Sequence, residues 1–313
     1  MLYFMLLNYS VNSMDKTSEK YLALIKKSLT GCLDTSQPDN WQFNIASTKA
    51  FKTFMTNGQV RTLIGPKRLD NIESSVKHII SNKIEGDVVE AGCWRGGALL
   101  YLKACLDTYS PQNTIQRTIW GADLFPESSS LVTSRVKLMK LKGLLKIRKL
   151  LPARLKQRLA NHVMEAFPNE PYDKSTLSKI FALANSLTYI KKEALISTSH
   201  QDLLEAFKRY DLDDESINLM PGWFSETLPK MKETIKNIAL LRIDADFYQS
   251  TMDVLTHLYP KLSENGICII DDYGGFSDCQ RAVDEYRQQH QITEPLESVD
   301  GTCYYWIVKN PVQ

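Results

Sequence analysis

The sequence lacks the cysteine pairs of a zinc-binding protein. Its six cysteines stand at positions 32, 93, 105, 268, 279 and 303, so none forms a CxxC pair or another zinc spacing. Two of them fall in strand-like runs, where cysteine acts as a small apolar residue. This usage argues against a cysteine-ligated zinc centre and predicts a reduced, cytoplasmic protein.

The start of the chain lacks the features of a targeting or membrane segment. The first residues, MLYFMLLNYSVNSM, include a short apolar run, but they have no basic stretch and no small-residue cleavage site. The run is also too short to cross a bilayer. We therefore expect neither a signal peptide nor a membrane span here, and Met14 is a second candidate for the first residue of the protein.

Neither sign of charge dominates the chain. It carries 38 Lys and Arg residues against 36 Asp and Glu residues, and the resulting net charge of +2 indicates no class of partner. The length of 313 residues and the hydrophobic content of 43% are typical of a globular protein with a sizeable core. Such a length predicts one large α/β domain with an insertion, or two small domains.

Strand-like and helix-like segments alternate along most of the chain. Strands are predicted at 88–91, 118–124, 216–220, 238–244, 266–271 and 303–308. Helices are predicted at 21–29, 70–80, 97–108, 225–235, 251–262 and 278–289. Ser250 is a plausible N-cap of the helix that we place at 251–262. This alternation predicts an α/β fold with a doubly wound, mostly parallel sheet, in which residues 1–60 form an N-terminal helical segment and residues 61–313 the main domain.

The alternation is interrupted at about 127–200, which is too long for a connecting loop and predicts a helical insertion. Within it, residues 131–160 contain ten Lys or Arg residues and no Asp or Glu. Three uses of this basic segment stay open. It can be a lid over the active site, a patch for a membrane surface or an acidic polymer, or a solvated helix pair that docks on the core.

Acidic residues follow two neighbouring strands of the predicted sheet. Asp244 and Asp246 end the run at 238–243, which is apolar except for Arg242, and Asp271 and Asp272 end the run at 267–270. A strand, helix, strand unit of this length favours a parallel crossover, which brings both carboxyl ends to the same edge of the sheet. A single such acid is usually a solvated strand end, but crowded carboxylates need a cation. Oxygen ligands without a nearby His or Cys suit Mg²⁺.

A glycine turn, Glu90-Ala-Gly-Cys-Trp-Arg-Gly-Gly97, follows the first sheet strand and opens a helix. It is not GxGxxG, because Trp94 stands where a dinucleotide site needs its second glycine. An acid two residues before the first glycine suits a positively charged ligand, and Asp123 at the next strand end is placed to accept from ribose hydroxyls. S-adenosylmethionine carries all of these groups. The alternative is that the glycines serve helix packing and Asp123 caps a turn.

Five segments of this sequence resemble the macrocin O-methyltransferase family. They are LIGPKRLDNI (63–72), GDVVEAGCWRGGA (86–98), MPGWFSETLP (220–229), LRIDADFYQSTMDVLTHLYPKL (241–262) and GICIIDDYG (266–274). The resemblance covers roughly residues 20–125 and 198–308. It implies a seven-stranded, Rossmann-like class I methyltransferase fold with a helical insertion, and an enzyme that moves a methyl group from S-adenosylmethionine to a sugar hydroxyl held by Mg²⁺.

The resemblance also implies roles for single residues. Metal ligation falls to Asp244, Asp271 and Asp272, and Asp246 becomes the best general-base candidate, with Asp244 second. Cofactor contacts are implied for Glu90, Ala91, Gly92, Trp94, Arg95, Gly96, Gly97, Asp123, Ile64 and Gly65. Trp223 is equally well explained as a pocket residue and as a core aromatic.

The long basic insertion departs from the family pattern, so the acceptor cannot be carried over from it. We expect a small-molecule or saccharide acceptor and no nucleic acid. Contact of residues 131–160 with a membrane surface stays open, and so does a homo-oligomer. Two rival functions remain at this point. One is a Mg²⁺-dependent nucleotide-sugar glycosyltransferase that uses Asp244-Ala-Asp246 as a DxD motif, and the other is a non-catalytic cofactor-binding module with a basic docking surface.

Overall fold

The structure is a computed structural model that describes residues 16–33, 60–110, 115–125 and 198–312. Within these ranges the helices are α1 (Lys16–Leu29), α2 (Pro66–Ser81), α3 (Gly97–Tyr109), α4 (His200–Arg209), α5 (Phe224–Thr234), α6 (Tyr248–Leu258) and α7 (Ser277–Gln289). The strands are β1 (Asp87–Ala91), β2 (Ile119–Asp123), β3 (Ile217–Pro221), β4 (Ile238–Ile243), β5 (Leu262–Ile270), β6 (Glu297–Ser298) and β7 (Tyr304–Ile307). The predicted insertion at 127–200 lies outside the described residues except for 198–200, and so do Met14 and most of the segment 1–60.

The strands form one sheet in the order β3-β2-β1-β4-β5-β7-β6. Strands β1 to β5 are parallel, and β7 runs antiparallel to both of its neighbours. The predicted doubly wound, mostly parallel seven-stranded sheet is therefore confirmed. The parallel strands bring the carboxyl ends of β1, β2, β4 and β5 to one edge, and the residues that follow these strands build the site.

Helices cover both faces of the sheet. Successive residues of a strand point to opposite sides, so each central strand contributes side chains to both cores. In the central strands, Val88 and Leu240 pack into the hydrophobic core on the side of α2 and α3, whereas Val89 and Leu241 pack on the side of α5 to α7. All four side chains are fully buried. This is why these strands read as continuous apolar runs in the sequence.

Three local predictions need correction. Helix α6 runs from Tyr248, with Phe247 as its N-cap, to Leu258. The predicted helix runs from Thr251 after Ser250 to residue 262, where β5 already begins. The Ser250 hydroxyl instead donates to the carbonyl oxygens of Ala245 and Phe247, at 2.7 and 3.2 Å.

The second correction is α4, a helix that the prediction left out. A capping box of Ser199 and Asp202 begins it. The third is β6, whose two residues are too few for a periodic pattern.

No helix in the described part of the chain is long and apolar enough to cross a membrane.

Candidate active site

The glycine turn joins the end of β1 to the start of α3. Gly92 has a φ of +95°, and a Cβ atom there would lie 1.8 Å from the carbonyl oxygen of Asp244. The amide of Asp244 donates to the carbonyl of Ala91 at 2.8 Å. Gly96, the N-cap of α3, has a φ of +76°. The turn thus holds the ends of β1 and β4 in direct backbone contact, which only glycine at position 92 permits.

The segment at 60–65 packs along this turn. The amide of Gly97 donates to the carbonyl of Arg61 at 3.1 Å, and the Arg95 guanidinium donates to the carbonyl of Val60 at 3.0 Å. Ile64 is buried, and Gly65 is the N-cap of α2. The structure therefore brings the two predicted groups of cofactor residues, 64–65 and 90–97, to the same end of the sheet.

Asp123 closes the turn from the neighbouring strand. Its two carboxylate oxygens accept the amides of Trp94, at 2.7 Å, and of Leu124, at 2.6 Å. Burial raises the pKa of Asp123, and these backbone hydrogen bonds act against that shift. The backbone of Cys93 also contributes a hydrogen bond. A carboxylate has about four acceptor positions, so the side chain can still accept a hydroxyl.

Three carboxylates form an acidic cluster, which we define as Asp244, Asp246 and Asp272. One oxygen from each lies within 4.8 Å of the others, which is close enough for a shared cation. The Asp272 side chain is largely buried, and its Oδ2 has no hydrogen-bond partner among the described residues. A buried carboxylate oxygen without a partner is costly unless a cation or a donor binds it. The donor set of the cluster therefore fits Mg²⁺.

Asp271 is not part of the acidic cluster, although the resemblance implied that it is a metal ligand. One of its oxygens accepts from Arg68 and the other from Arg242. The ligand set that the resemblance implied was Asp244, Asp271 and Asp272, whereas the cluster in the structure contains Asp246 where that set has Asp271. Asp246 sits in the left-handed region, with a φ of +59°. Asp adopts this backbone conformation more readily than most residues do, and Asp246 has it where its side chain joins the acidic cluster.

Burial and crowding raise the pKa values of these acids. The pKa of Asp246 rises to about 7, mainly through burial and then through the charges of Asp244 and Asp271. That of Asp244 rises to about 6 for similar reasons, although Arg242 counteracts the shift. Burial raises the pKa of Asp272 well above its usual range. A carboxyl group with a pKa near 7 is suited to exchange protons at neutral pH.

Two arginines that contact these acids were not assigned to the site by sequence reasoning. Arg242 is the fifth of the six residues of β4. Arg68 lies in the first turn of α2 and also pairs with Asp300 at 2.7 Å. A lone charge in an otherwise apolar buried strand was the available signal for Arg242. Trp223, for which two roles were open, is 56% exposed, so the role of a core aromatic is wrong.

Comparison with known families gives one extended match. The profile of the family described as Macrocin-O-methyltransferase (TylF) matches residues 56–149 and 155–308. Among solved structures, the O-methyltransferase NovP is similar, with a TM-score of 0.63 at 29% sequence identity, over 94% of this chain and 100% of that one.

Individual relatives match over most of their length. The chain is 30% identical over 294 residues to demethyldecarbamoylnovobiocin O-methyltransferase of Streptomyces niveus, which covers 92% of this chain and 93% of that protein. It is 33% identical over 245 residues to mycinamicin III 3''-O-methyltransferase of Micromonospora griseorubida, covering 78% and 77%. It is 29% identical over 301 residues, 91% of each, to a 4'-O-methyltransferase of Streptomyces olivaceus that acts on a rhamnosyl tetracenomycin.

Proposed function

The chain belongs to the macrocin O-methyltransferase family, and we propose from this premise that it transfers the methyl group of S-adenosylmethionine to a sugar hydroxyl of a small molecule. The names of two relatives support the acceptor class, since one specifies a 3''-hydroxyl of mycinamicin III and one a rhamnosyl compound. Membership in a family of O-methyltransferases removes the glycosyltransferase alternative, which rested on Asp244-Ala-Asp246 alone, and the non-catalytic one.

The glycine turn and Asp123 are the proposed holders of the cofactor. Glu90 is fully buried, and its Oε2 has no hydrogen-bond partner among the described residues. A buried acceptor of this kind at the first strand end suits the positively charged part of S-adenosylmethionine. Asp123 keeps lone pairs for the ribose hydroxyls. Ile64 and Gly65 would close the same end of the cofactor site.

Asp244 and Asp272 are the proposed core of a Mg²⁺ site. The third carboxylate is Asp271 by family resemblance, or Asp246 by its position in the acidic cluster. A divalent cation bound there would supply Lewis acidity, which lowers the pKa of an acceptor hydroxyl, and would orient that hydroxyl. The family resemblance favours Asp271, and the paired arginines weigh against it, so the ligand assignment needs a direct test.

Asp246 is the proposed general base, with Asp244 second. Asp246 lies in the acidic cluster beside Asp244 and Asp272, where its carboxylate can accept the proton of a hydroxyl held there. The hydroxyl oxygen then forms a bond to the methyl carbon while the carbon–sulfur bond of the sulfonium breaks, and neutral S-adenosylhomocysteine leaves. The observation that carries this proposal is the contact between Asp244 and the glycine turn, because it places the acids beside the proposed cofactor site.

The decisive experiment compares Asp246→Asn with Asp271→Asn. Calorimetric titrations would measure S-adenosylhomocysteine and Mg²⁺ binding, and kcat would be measured with candidate sugar acceptors. Loss of the general base should lower kcat by about 10² to 10⁴ without changing the affinity for Mg²⁺. Loss of a metal ligand should lower the affinity for Mg²⁺ itself. Exposed Asp213→Asn is the control and should change neither. Failure of the wild-type protein to bind S-adenosylmethionine or S-adenosylhomocysteine would overturn the proposed function.

A further inference from the structure

Arg242 is a fully buried arginine in the central strand of the sheet. Its neighbours in β4 are all apolar, and the side chain is 1% exposed. In the sheet it lies directly beside Glu90 of β1 on one side and Ile269 of β5 on the other. Placing a guanidinium here is costly unless ionised partners surround it.

Three carboxylates from three adjacent strands surround this guanidinium. Nη1 donates to Glu90 Oε1 at 2.5 Å and to Asp244 Oδ2 at 3.0 Å, and Nη2 donates to Asp271. Glu90 belongs to the glycine turn, whereas Asp244 and Asp271 follow β4 and β5 on the cation side. A single side chain thus contacts both halves of the proposed site.

Arg242 forms more than a single ion pair, because its planar fork spans the ends of β1, β4 and β5. Any change in the position of Asp244 or Asp271 therefore acts on the same guanidinium that holds Glu90. The remaining Glu90 oxygen is buried and has no hydrogen-bond partner among the described residues, so it is left to accept from a ligand.

We propose that Arg242 is a positioning residue that couples cation binding at the strand ends to cofactor binding at the glycine turn. The inference rests on the proposed function, because it needs both ligands. A cation held at the strand ends would restrict Asp244, whichever carboxylate is its third ligand. The guanidinium that donates to Asp244 would then hold Glu90 in one orientation for the cofactor. Coupling is reciprocal, so the cofactor strengthens Mg²⁺ binding by the same factor.

Lysine cannot replace Arg242 in this role. Its ammonium is a compact point charge at the end of a flexible stem, whereas guanidinium presents several donors in one plane. Arg242→Lys therefore keeps the buried positive charge but loses the rigid link between Glu90 and the cation side. Arg117→Lys is the matched control, because Arg117 is a partly buried arginine two residues before β2. Its guanidinium donates to the backbone carbonyls of Gly86 and Ile84.

The test is calorimetric titration of S-adenosylhomocysteine into the full-length protein with and without saturating Mg²⁺. In the wild type and in Arg117→Lys, Mg²⁺ should lower the Kd for S-adenosylhomocysteine by at least about fivefold. We call the Kd without Mg²⁺ divided by the Kd with Mg²⁺ the ratio. In Arg242→Lys the two Kd values should differ by less than about twofold, even if the variant is as stable as the wild type. Glu90→Gln removes the charge at the other end of this link and should also lose the ratio. It decides the matter if Arg242→Lys does not fold.

The outcomes are distinguishable. A protein that binds S-adenosylhomocysteine with no effect of Mg²⁺ overturns this inference and leaves the proposed function standing. An Arg242→Lys variant that is less stable but keeps the wild-type ratio shows a purely structural role and also overturns it. The same holds if Glu90→Gln keeps the ratio. Absence of S-adenosylhomocysteine binding in the wild type overturns the proposed function and this inference together.

Discussion

Replacement of Gly92 by alanine should disable the site without unfolding the protein. The new Cβ atom would lie 1.8 Å from the carbonyl oxygen of Asp244 and 2.7 Å from its carbonyl carbon. Both atoms belong to the backbone, so no side-chain rotation relieves the overlap. The backbone at Gly92 or at Asp244 has to move.

The size of that movement follows from the contact distance. Real Cβ contacts are essentially never shorter than 3.0 Å, so a gap of 1.8 Å must open by about 1.2 Å or more. A misplacement of about 1 Å can cost about 10² in rate, and we expect kcat/KM of Gly92→Ala to fall by at least that factor. The φ of +95° adds backbone strain, which lowers the free energy of unfolding by about 1–3 kcal/mol.

Gly301→Ala provides a control for the strain alone. Gly301 has a φ of +90°, but a Cβ atom there meets nothing within 4 Å. Urea unfolding and steady-state kinetics of both variants separate the two effects. A larger loss of stability in Gly92→Ala than in Gly301→Ala, with a rate defect only in Gly92→Ala, supports the reasoning. Wild-type kcat/KM in Gly92→Ala, or an equal rate defect in Gly301→Ala, refutes it.

Three further perturbations test other parts of the molecule. Burial raises the pKa of Glu73, but hydrogen bonds from Lys26, Tyr101 and Tyr109 outweigh burial and lower it to about 2. The stabilisation by Glu73 is therefore complete above pH 4.5 and is lost as the pH falls towards 2. Glu73→Gln should be less stable than the wild type in urea at pH 7, and the difference should shrink towards pH 3. An equal difference at both pH values contradicts this. Arg242→Met should lower the free energy of unfolding by about 3–5 kcal/mol, because it leaves buried carboxylates unpaired, and a loss below about 1 kcal/mol in urea titrations contradicts that account. Trp223→Ala should change stability by less than about 0.5 kcal/mol, since the side chain is exposed, but raise the KM of the acceptor severalfold. An unchanged KM removes Trp223 from the acceptor site.

Most of the sheet could be predicted because its local and global signals agree. The central strands are apolar on both faces, and turn residues or helical periodicity separate them. Boundaries were less accurate where a residue had two compatible roles. Ser250 has the chemistry of an N-cap, but its hydroxyl donates to the carbonyls of Ala245 and Phe247 inside a helix that begins earlier. The helix α4 carried a capping box that the prediction passed over, since residues up to 200 were assigned to the insertion.

The sequence by itself determined that four aspartates follow β4 and β5, and that Glu90 stands near the end of β1, at one edge of a parallel sheet. That conclusion needs only the order of the elements and the geometry of parallel crossovers. The sequence did not determine which side chains each carboxylate contacts. Arg68 reaches Asp271 across 203 residues of sequence, and Arg242 reaches Glu90 across 152. Only the tertiary structure decided that Asp271 faces two arginines while Asp244, Asp246 and Asp272 cluster, because side-chain contacts between distant segments depend on packing that no local pattern encodes.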